Sequence, residues 1–255
     1  MKTGFRIFLG AFVALGLSWC GFVLGPALQL GTQGQTTVLN SSDIYPNQRP
    51  GDATLGLQVY RASGCAACHT TQVGQDGVVC DVVLTSKGSN PSAVESLIST
   101  LKLTGITTKE DADAVSAKIS AAGGKSETHI VPTGPDISRG WGLRHSVAED
   151  FLWDNPVQLG SIRVGPDLAN VGLRRDEHWL YVHLYDPRAN VTNSIMPSYK
   201  YLFTVAQATN QFPSSFDMEP TEDGRNLVAY LLSLRADVAL HDAPFSTAPA
   251  AAAKK

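Results

Sequence analysis

The stretch Tyr60 to Gln72, YRASGCAACHTTQ, sets Cys65, Cys68 and His69 within five positions of one another. No other feature constrains the chain as tightly, because any fold must deliver two thiols and an imidazole to one place. Three chemistries use such a group: a disulfide, half of a zinc site, or thioether attachment of a porphyrin. A structural zinc takes about four ligands, usually from a second Cys or His pair at similar spacing. Of the four cysteines, Cys20 lies in an apolar run and Cys80 stands alone, so there is no second pair. A redox-active Cys65–Cys68 pair has the right spacing, but no thioredoxin-like βαβ pattern surrounds it. C-x-x-C-H is the attachment signature of c-type haem. The two thiols reach the two vinyl groups on one porphyrin edge, and the next residue is carried under the iron as axial ligand. With four cysteines and six histidines in 255 residues, the string arises by chance only about 0.0015 times. The motif therefore points to one covalent haem c with His69 as an iron ligand.

The N-terminus sets the compartment. Phe5 to Leu24 is a run of twenty residues broken only by Arg6, and no charge follows Arg6 until Asp43. At about 1.5 Å per residue, twenty residues span roughly 30 Å, one hydrocarbon core. Lys2 and Arg6 lie on its N-terminal side, which places Met1 in the cytoplasm. A cleaved signal peptide predicts a shorter apolar part and a small-residue cleavage site. A lipoprotein reading of Cys20 conflicts with the bulk of Trp19. Residues 1–30 are thus expected to form a retained transmembrane anchor. Residues 31–50, polar and nearly uncharged, are expected to be a flexible tether. The net charge of −3 and the lack of a dense Lys/Arg cluster argue against nucleic acid as a partner.

An electron-carrying haem usually has a second protein ligand, and a methionine there raises the reduction potential. Only Met1, Met196 and Met218 are present. Met218 sits among acids in SFDMEPTED. Met196 lies in NSIMPSYKYLF, between Ile195 and Pro197, which stiffens the loop; it is the expected sixth ligand. A bis-histidine site using His178 or His183 is the alternative. Otherwise DEHWLYVHLYDPR is a helix with one histidine facing solvent and the other packed. Met196 lies 127 positions beyond His69, far more than a compact cytochrome requires, so a segment is inserted.

In order, GLQVYRASGCAACH, LGSIRVGPDLANVG, WLYVHLYDPRANVTNSIMPSY and GRNLVAYLLSL resemble a class I cytochrome c. More specifically, they resemble the membrane-anchored monohaem subunit (subunit II) of C-family, cbb-type haem–copper cytochrome c oxidases. The resemblance covers roughly residues 1–75 and 140–235. It implies a mainly α fold, with residues 51–77 and 133–235 as the haem domain. It also implies that Pro166 offers its carbonyl to Nδ1 of His69, that Arg174 lies near a haem propionate, and that Trp179 packs on or bonds to the propionate edge. GLQVYRAS is expected to form the N-terminal helix and EDGRNLVAYLLSLR the C-terminal one. Leu227, Tyr230, Leu231 and Leu234 fall on one helical face, which should cross the first helix near Gly56 and Tyr60.

Residues 78–132 depart from that pattern. VVCDVVLTSKG alternates as a strand, NPSAVESLISTLKLTG and TKEDADAVSAKISAAGG read as helices, and KSETHIVP reads as a strand stopped by Pro132. The segment is similar to the C-terminal domain of the large-subunit ribosomal stalk protein with a middle portion missing. It is expected to be a small β-α-α-β module, with Cys80 buried and His129 exposed. Residues 236–255 are expected to be a disordered tail.

The resemblance implies an electron-transfer subunit in aerobic respiration. A donor cytochrome, soluble or membrane-bound, reduces it, and a membrane-embedded haem–copper catalytic subunit in a complex with other respiratory subunits accepts the electron. It implies a bacterial inner membrane location with the haem domain periplasmic, and no reaction chemistry on this chain alone. Rival readings are the haem c subunit of a nitric oxide reductase, a haem enzyme or sensor with an open sixth position, and a free-standing anchored shuttle.

Overall fold

The computed structural model describes residues 2–31, 34–205 and 218–246. It opens on one continuous helical rod: α1 (Lys2–Trp19), a π turn at Cys20–Leu24 and α2 (Gly25–Gly31). The rod contains a helix long and apolar enough to cross a membrane, Thr3–Gln29, with none of its hydrophobic window covered by the rest of the chain. The π turn ends two residues before Pro26, which cannot donate to the helical ladder.

The segment expected to be a flexible tether is folded from residue 34 onward. β1 (Thr36–Thr37) pairs antiparallel with β2 (Ile44–Tyr45). The Tyr45 hydroxyl donates to Asp150 at 2.6 Å, and Arg49 pairs with Asp154. These partners lie about a hundred positions away, so local composition gave no sign of them.

The main core forms where two helices cross. α3 (Gly51–Ala62) buries Ala53, Gly56, Leu57 and Tyr60, a helical stripe. α10 (Glu222–Ser233) is capped by the Thr221 hydroxyl and buries Leu227, Tyr230 and Leu231. The helices meet at Gly56, where a Cβ would run into the Asn226 carbonyl and stand 2.7 Å from the Tyr230 Cβ. The rings of Tyr60 and Tyr230 lie beside this crossing, 5.3 Å apart. The crossing agrees with the periodicity of the sequence.

Between α3 and the rest of the main core, in sequence, lies the inserted segment. β3 (Gly77–Ser86) leads into α4 (Pro91–Ile98) and α5 (Lys109–Ala121), and β4 (Lys125–Thr133) returns antiparallel to β3. Its own core comprises Cys80, Val82, Ile106, Ala112 and Ile119. α4 is shorter than its sequence pattern suggests. Leu103 and Ile106 instead bond to the free edge of β3, through Val82 N to Leu103 O and Cys80 N to Ile106 O. β4 runs through Pro132 to Thr133, since a two-stranded sheet tolerates a proline on its outer edge. His129 was expected to be exposed, yet its side chain is only 15% exposed and Nδ1 is buried.

Short elements complete the chain: α6 (Pro135–Ser138), α7 (Val171–Arg174), α8 (Glu177–Tyr185), α9 (Pro187–Asn190), and the paired strands β5 (Phe203–Val205) and β6 (Met218–Pro220). α8 adds Leu180 and Leu184 to the main core. The expected disordered tail is a second correction, because residues 236–246 are packed. Ala239, Leu240, Ala243 and Phe245 are buried, Ser246 bonds to Ile130, and Leu39 N donates to Ala239 O. These bonds reach residues more than a hundred positions away, and pairing of that kind has no local signature. Residues 247–255 lie outside the described part.

Candidate functional site

α3 ends at Ala62, and Gly64 takes the left-handed conformation, φ 72°, that turns the chain into the short 3-10 helix Cys65–Ala67. Cys68 N and His69 N both donate to Cys65 O, at 3.1 and 3.0 Å. The tight turn holds both cysteines and the histidine together, and both thiols are free. Burial, with the Cys68 sulfur adding to it, pushes the Cys65 thiol up to about 11, so it is protonated at neutral pH.

The segment 158–168 runs against 68–72. Gly165 N donates to Cys68 O at 2.9 Å, Leu168 N to Thr70 O at 2.7 Å, and Thr71 N to Leu159 O at 3.0 Å. Within this zipper His69 Nδ1 lies 2.8 Å from the Pro166 carbonyl. A carbonyl only accepts, so Nδ1 carries the proton and Nε2 keeps its lone pair. Gly165 lies against the ring, and a Cβ there would stand 2.7 Å from His69 Nδ1. Asp167 is fully buried and accepts from the Thr70 hydroxyl at 2.5 Å and from Gln72 N and Ala169 N at 2.8 Å each.

Met196 is half-buried and packs on the same core as Cys65, Ala66, Trp179 and Tyr199. Its loop is pinned at both ends: Ser194 N donates to Val191 O at 2.8 Å, and Tyr199 N to Leu184 O at 2.8 Å. Burial, and next the neighbouring Cys65, push the Tyr199 phenol up to about 12, which sets this loop beside the cysteine turn. The hydroxyls of Tyr201 and Ser63 are 3.0 Å apart, a second link between the two.

Arg174 donates to the Asp167 carbonyl and, at 3.4 Å, to the Asn170 carbonyl, so it braces the loop that follows Pro166. Trp179 stacks on His183, with centroids 4.5 Å apart and planes 19° apart, and the Arg175 guanidinium lies 4.3 Å from its ring centre. His178 is exposed and His183 half-buried, one out and one in as the helical pattern suggests. Burial lowers the His183 pKa, helped by the charges of His69 and Arg175 nearby. Met218 lies in β6. Two contributors went unread in the sequence: the glycine backing at 165 and the His183 stack. Gly165 stands inside the GPDL motif, where a residue with no side chain beside a ligand is a usable signal; the stack has none.

The donor set fits a c-type haem. Two free thiols stand three positions apart, and an imidazole has Nδ1 engaged and Nε2 available. A soft thioether shares a core with Cys65, and a glycine leaves room where a Cβ would press on the imidazole. Among the described residues no group of three or more His, Cys, Asp or Glu side chains is arranged to hold a metal ion.

Comparison with curated proteins found no match. Residues 129–224 match the family model described as cytochrome C oxidase, mono-heme subunit/FixO. That stretch begins in β4, ends in α10, and includes Pro166, Arg174, Trp179 and Met196, while Cys65, Cys68 and His69 precede it. The resemblance carried by the ordered motifs is borne out over these residues, which are similar to the mono-heme subunit/FixO family of cytochrome c oxidases.

Proposed function

We propose that this chain is the electron-transfer subunit of a cbb-type cytochrome c oxidase, built as a class I cytochrome c domain with one covalent haem c. The observation that carries the reading is the 2.8 Å bond between His69 Nδ1 and the Pro166 carbonyl. It joins the attachment signature, outside the family match, to a residue inside it.

When bound, the haem supplies one-electron chemistry. Cys65 and Cys68 would hold it by thioethers, and His69 Nε2 and the Met196 sulfur would bind its iron. The Pro166 carbonyl fixes the imidazole and increases its basicity. Following the resemblance, Arg174 and Trp179 would receive the haem's propionates. The N-terminal helix crosses the bacterial inner membrane once, with Met1 cytoplasmic and the haem domain periplasmic. The chain accepts an electron from a donor cytochrome and passes it to the haem–copper catalytic subunit, with no bond chemistry of its own.

Purification from membranes in mild detergent, a pyridine haemochrome spectrum and identification of co-purifying chains test this reading. A haem c spectrum, lost in Cys65→Ser/Cys68→Ser, and a co-purifying oxidase catalytic subunit are expected. A colourless native chain with both thiols free would sink the assignment. A complex that consumed nitric oxide and not oxygen would transfer it to a nitric oxide reductase.

A further inference from the structure

Near His69 stands a cation, that of Arg163, engaged by acceptors of the chain itself. Arg163 spreads its guanidinium over three acceptors on two stretches of chain, 70–72 and Asp136. Nε donates to the Thr70 hydroxyl at 2.9 Å, one terminal nitrogen to Asp136 at 2.8 Å, and the other to the Gln72 carbonyl at 2.5 Å. The second terminal nitrogen is also 3.9 Å from Asp167, and the group lies 5.4 Å from the centre of the Trp141 ring. Only a planar fork of donors can serve three acceptors in this way; a lysine ammonium is a point charge and cannot.

The partners matter because of where they sit. Thr70 and Gln72 immediately follow His69, and Arg163 is two residues before Gly165, so the clamp closes over the zipper that presents Pro166 to the imidazole. Asp136 anchors its far end. It is 4% exposed, also accepts from Gly74 N at 2.7 Å, and follows directly after β4, where the inserted segment rejoins the chain. Its one other cation, Arg139, is 3.8 Å away on a largely exposed side chain. A buried carboxylate held by one close guanidinium is a strong constraint on both, since removing either strands the other.

We propose that Arg163 is a positioning residue for the axial histidine, tying Thr70–Gln72 to Asp136 and so holding the Pro166 carbonyl on His69 Nδ1. This inference rests on the haem-subunit reading. It adds that the electron affinity of the site is set partly from the neck of the inserted segment. With the clamp removed, the carbonyl withdraws, the imidazole donates less to the iron, and the oxidised state loses stability relative to the reduced one.

The test is a potentiometric titration of the full-length, haem-loaded chain, with melting temperature measured in parallel. Arg163→Gln should shift the oxidised/reduced equilibrium toward the reduced form by about threefold or more, the scale of effects from groups that orient metal ligands. Arg163→Lys should not restore it. Asp136→Asn, which keeps an acceptor for Gly74 N, should shift it the same way by less, and the double variant should show less than the sum. Gly56→Ala, remote from the clamp, should lower the melting temperature without moving the equilibrium. Should Arg163→Gln fail to mature, Asp136→Asn carries the test alone. Wild-type values in both clamp variants overturn the inference and leave the haem reading intact. A wild-type chain without haem overturns both.

Discussion

Gly165 lies against the imidazole of His69 closely enough that a methyl group there would stand 2.7 Å from Nδ1. The same peptide donates to Cys68 O, so the loop cannot retreat without breaking the zipper. Gly165→Ala should therefore tilt the ring or open the loop. A loss of about 1–3 kcal/mol, typical of overpacking, and a lower haem content per chain are expected. Thermal melting and haemochrome yield measure both; a fully loaded variant melting like wild type would show that the loop yields freely.

Met196 shares a core with Cys65, while His183 stacks on Trp179 close to His69. If the thioether is the sixth ligand, Met196→Ala should bind carbon monoxide readily and lose the methionine-to-iron charge-transfer band. Met196→His should lower the potential strongly. His183→Ala should retain the band. The reverse pattern would make His183 the ligand.

Tyr60 is fully buried, and its hydroxyl has no hydrogen-bond partner among the described residues. An unpaired buried hydroxyl forfeits about 1–3 kcal/mol of solvation. Tyr60→Phe keeps the ring beside Tyr230 and removes that penalty, so the melting temperature should hold or rise. A clear fall would reveal a partner for the hydroxyl, such as an internal water.

Asp154 is buried beside Arg49, and burial raises its carboxyl pKa above the ordinary 3.8 even though the guanidinium opposes the shift. The folded chain then holds this proton more tightly than the unfolded one. Its contribution to stability is complete below about pH 3.8 and is lost as pH rises through the folded value. On acidification across that window, wild type should gain stability relative to Asp154→Asn in paired melting curves. The opposite trend would mean that the ion pair outweighs burial.

Leu240 and Phe245 are 2% and 8% exposed, far into what reads as a tail. Truncation after Arg235 removes both. At about 1.5–3 kcal/mol for each buried side chain, a loss of roughly 3–6 kcal/mol is expected in denaturant titration. An unchanged midpoint would mean that the segment is only loosely laid down.

These cases show what the sequence made legible. Cys65, Cys68 and His69 are adjacent in the chain, so their grouping can be read directly. Leu227, Tyr230 and Leu231 share a helical face, and periodicity finds that face and its crossing with α3. The pairing of His69 with Pro166 came from the resemblance, since no local rule joins residues 97 positions apart. What escaped depends on long-range polar contacts. Tyr45 reads as part of a polar linker until Asp150 meets its hydroxyl, and buried Arg144, bonded to Asp150 and to the Val238 carbonyl, ties that linker to the C-terminal segment. His129 alternates correctly with Ile130, but Ser246 comes in beside that strand.

The inserted segment leaves and re-enters the chain at a single point: Gly77 faces Thr133 across the sheet, and Asp76 N donates to Thr133 O at 2.8 Å. Its two stems are thus already within a hairpin's width of each other. Evolution or a protein engineer could excise residues 78–132, or exchange them for an unrelated cargo, and close the gap with a two-residue turn, losing only the bonds by which Ser246 holds the C-terminal segment to Ile130.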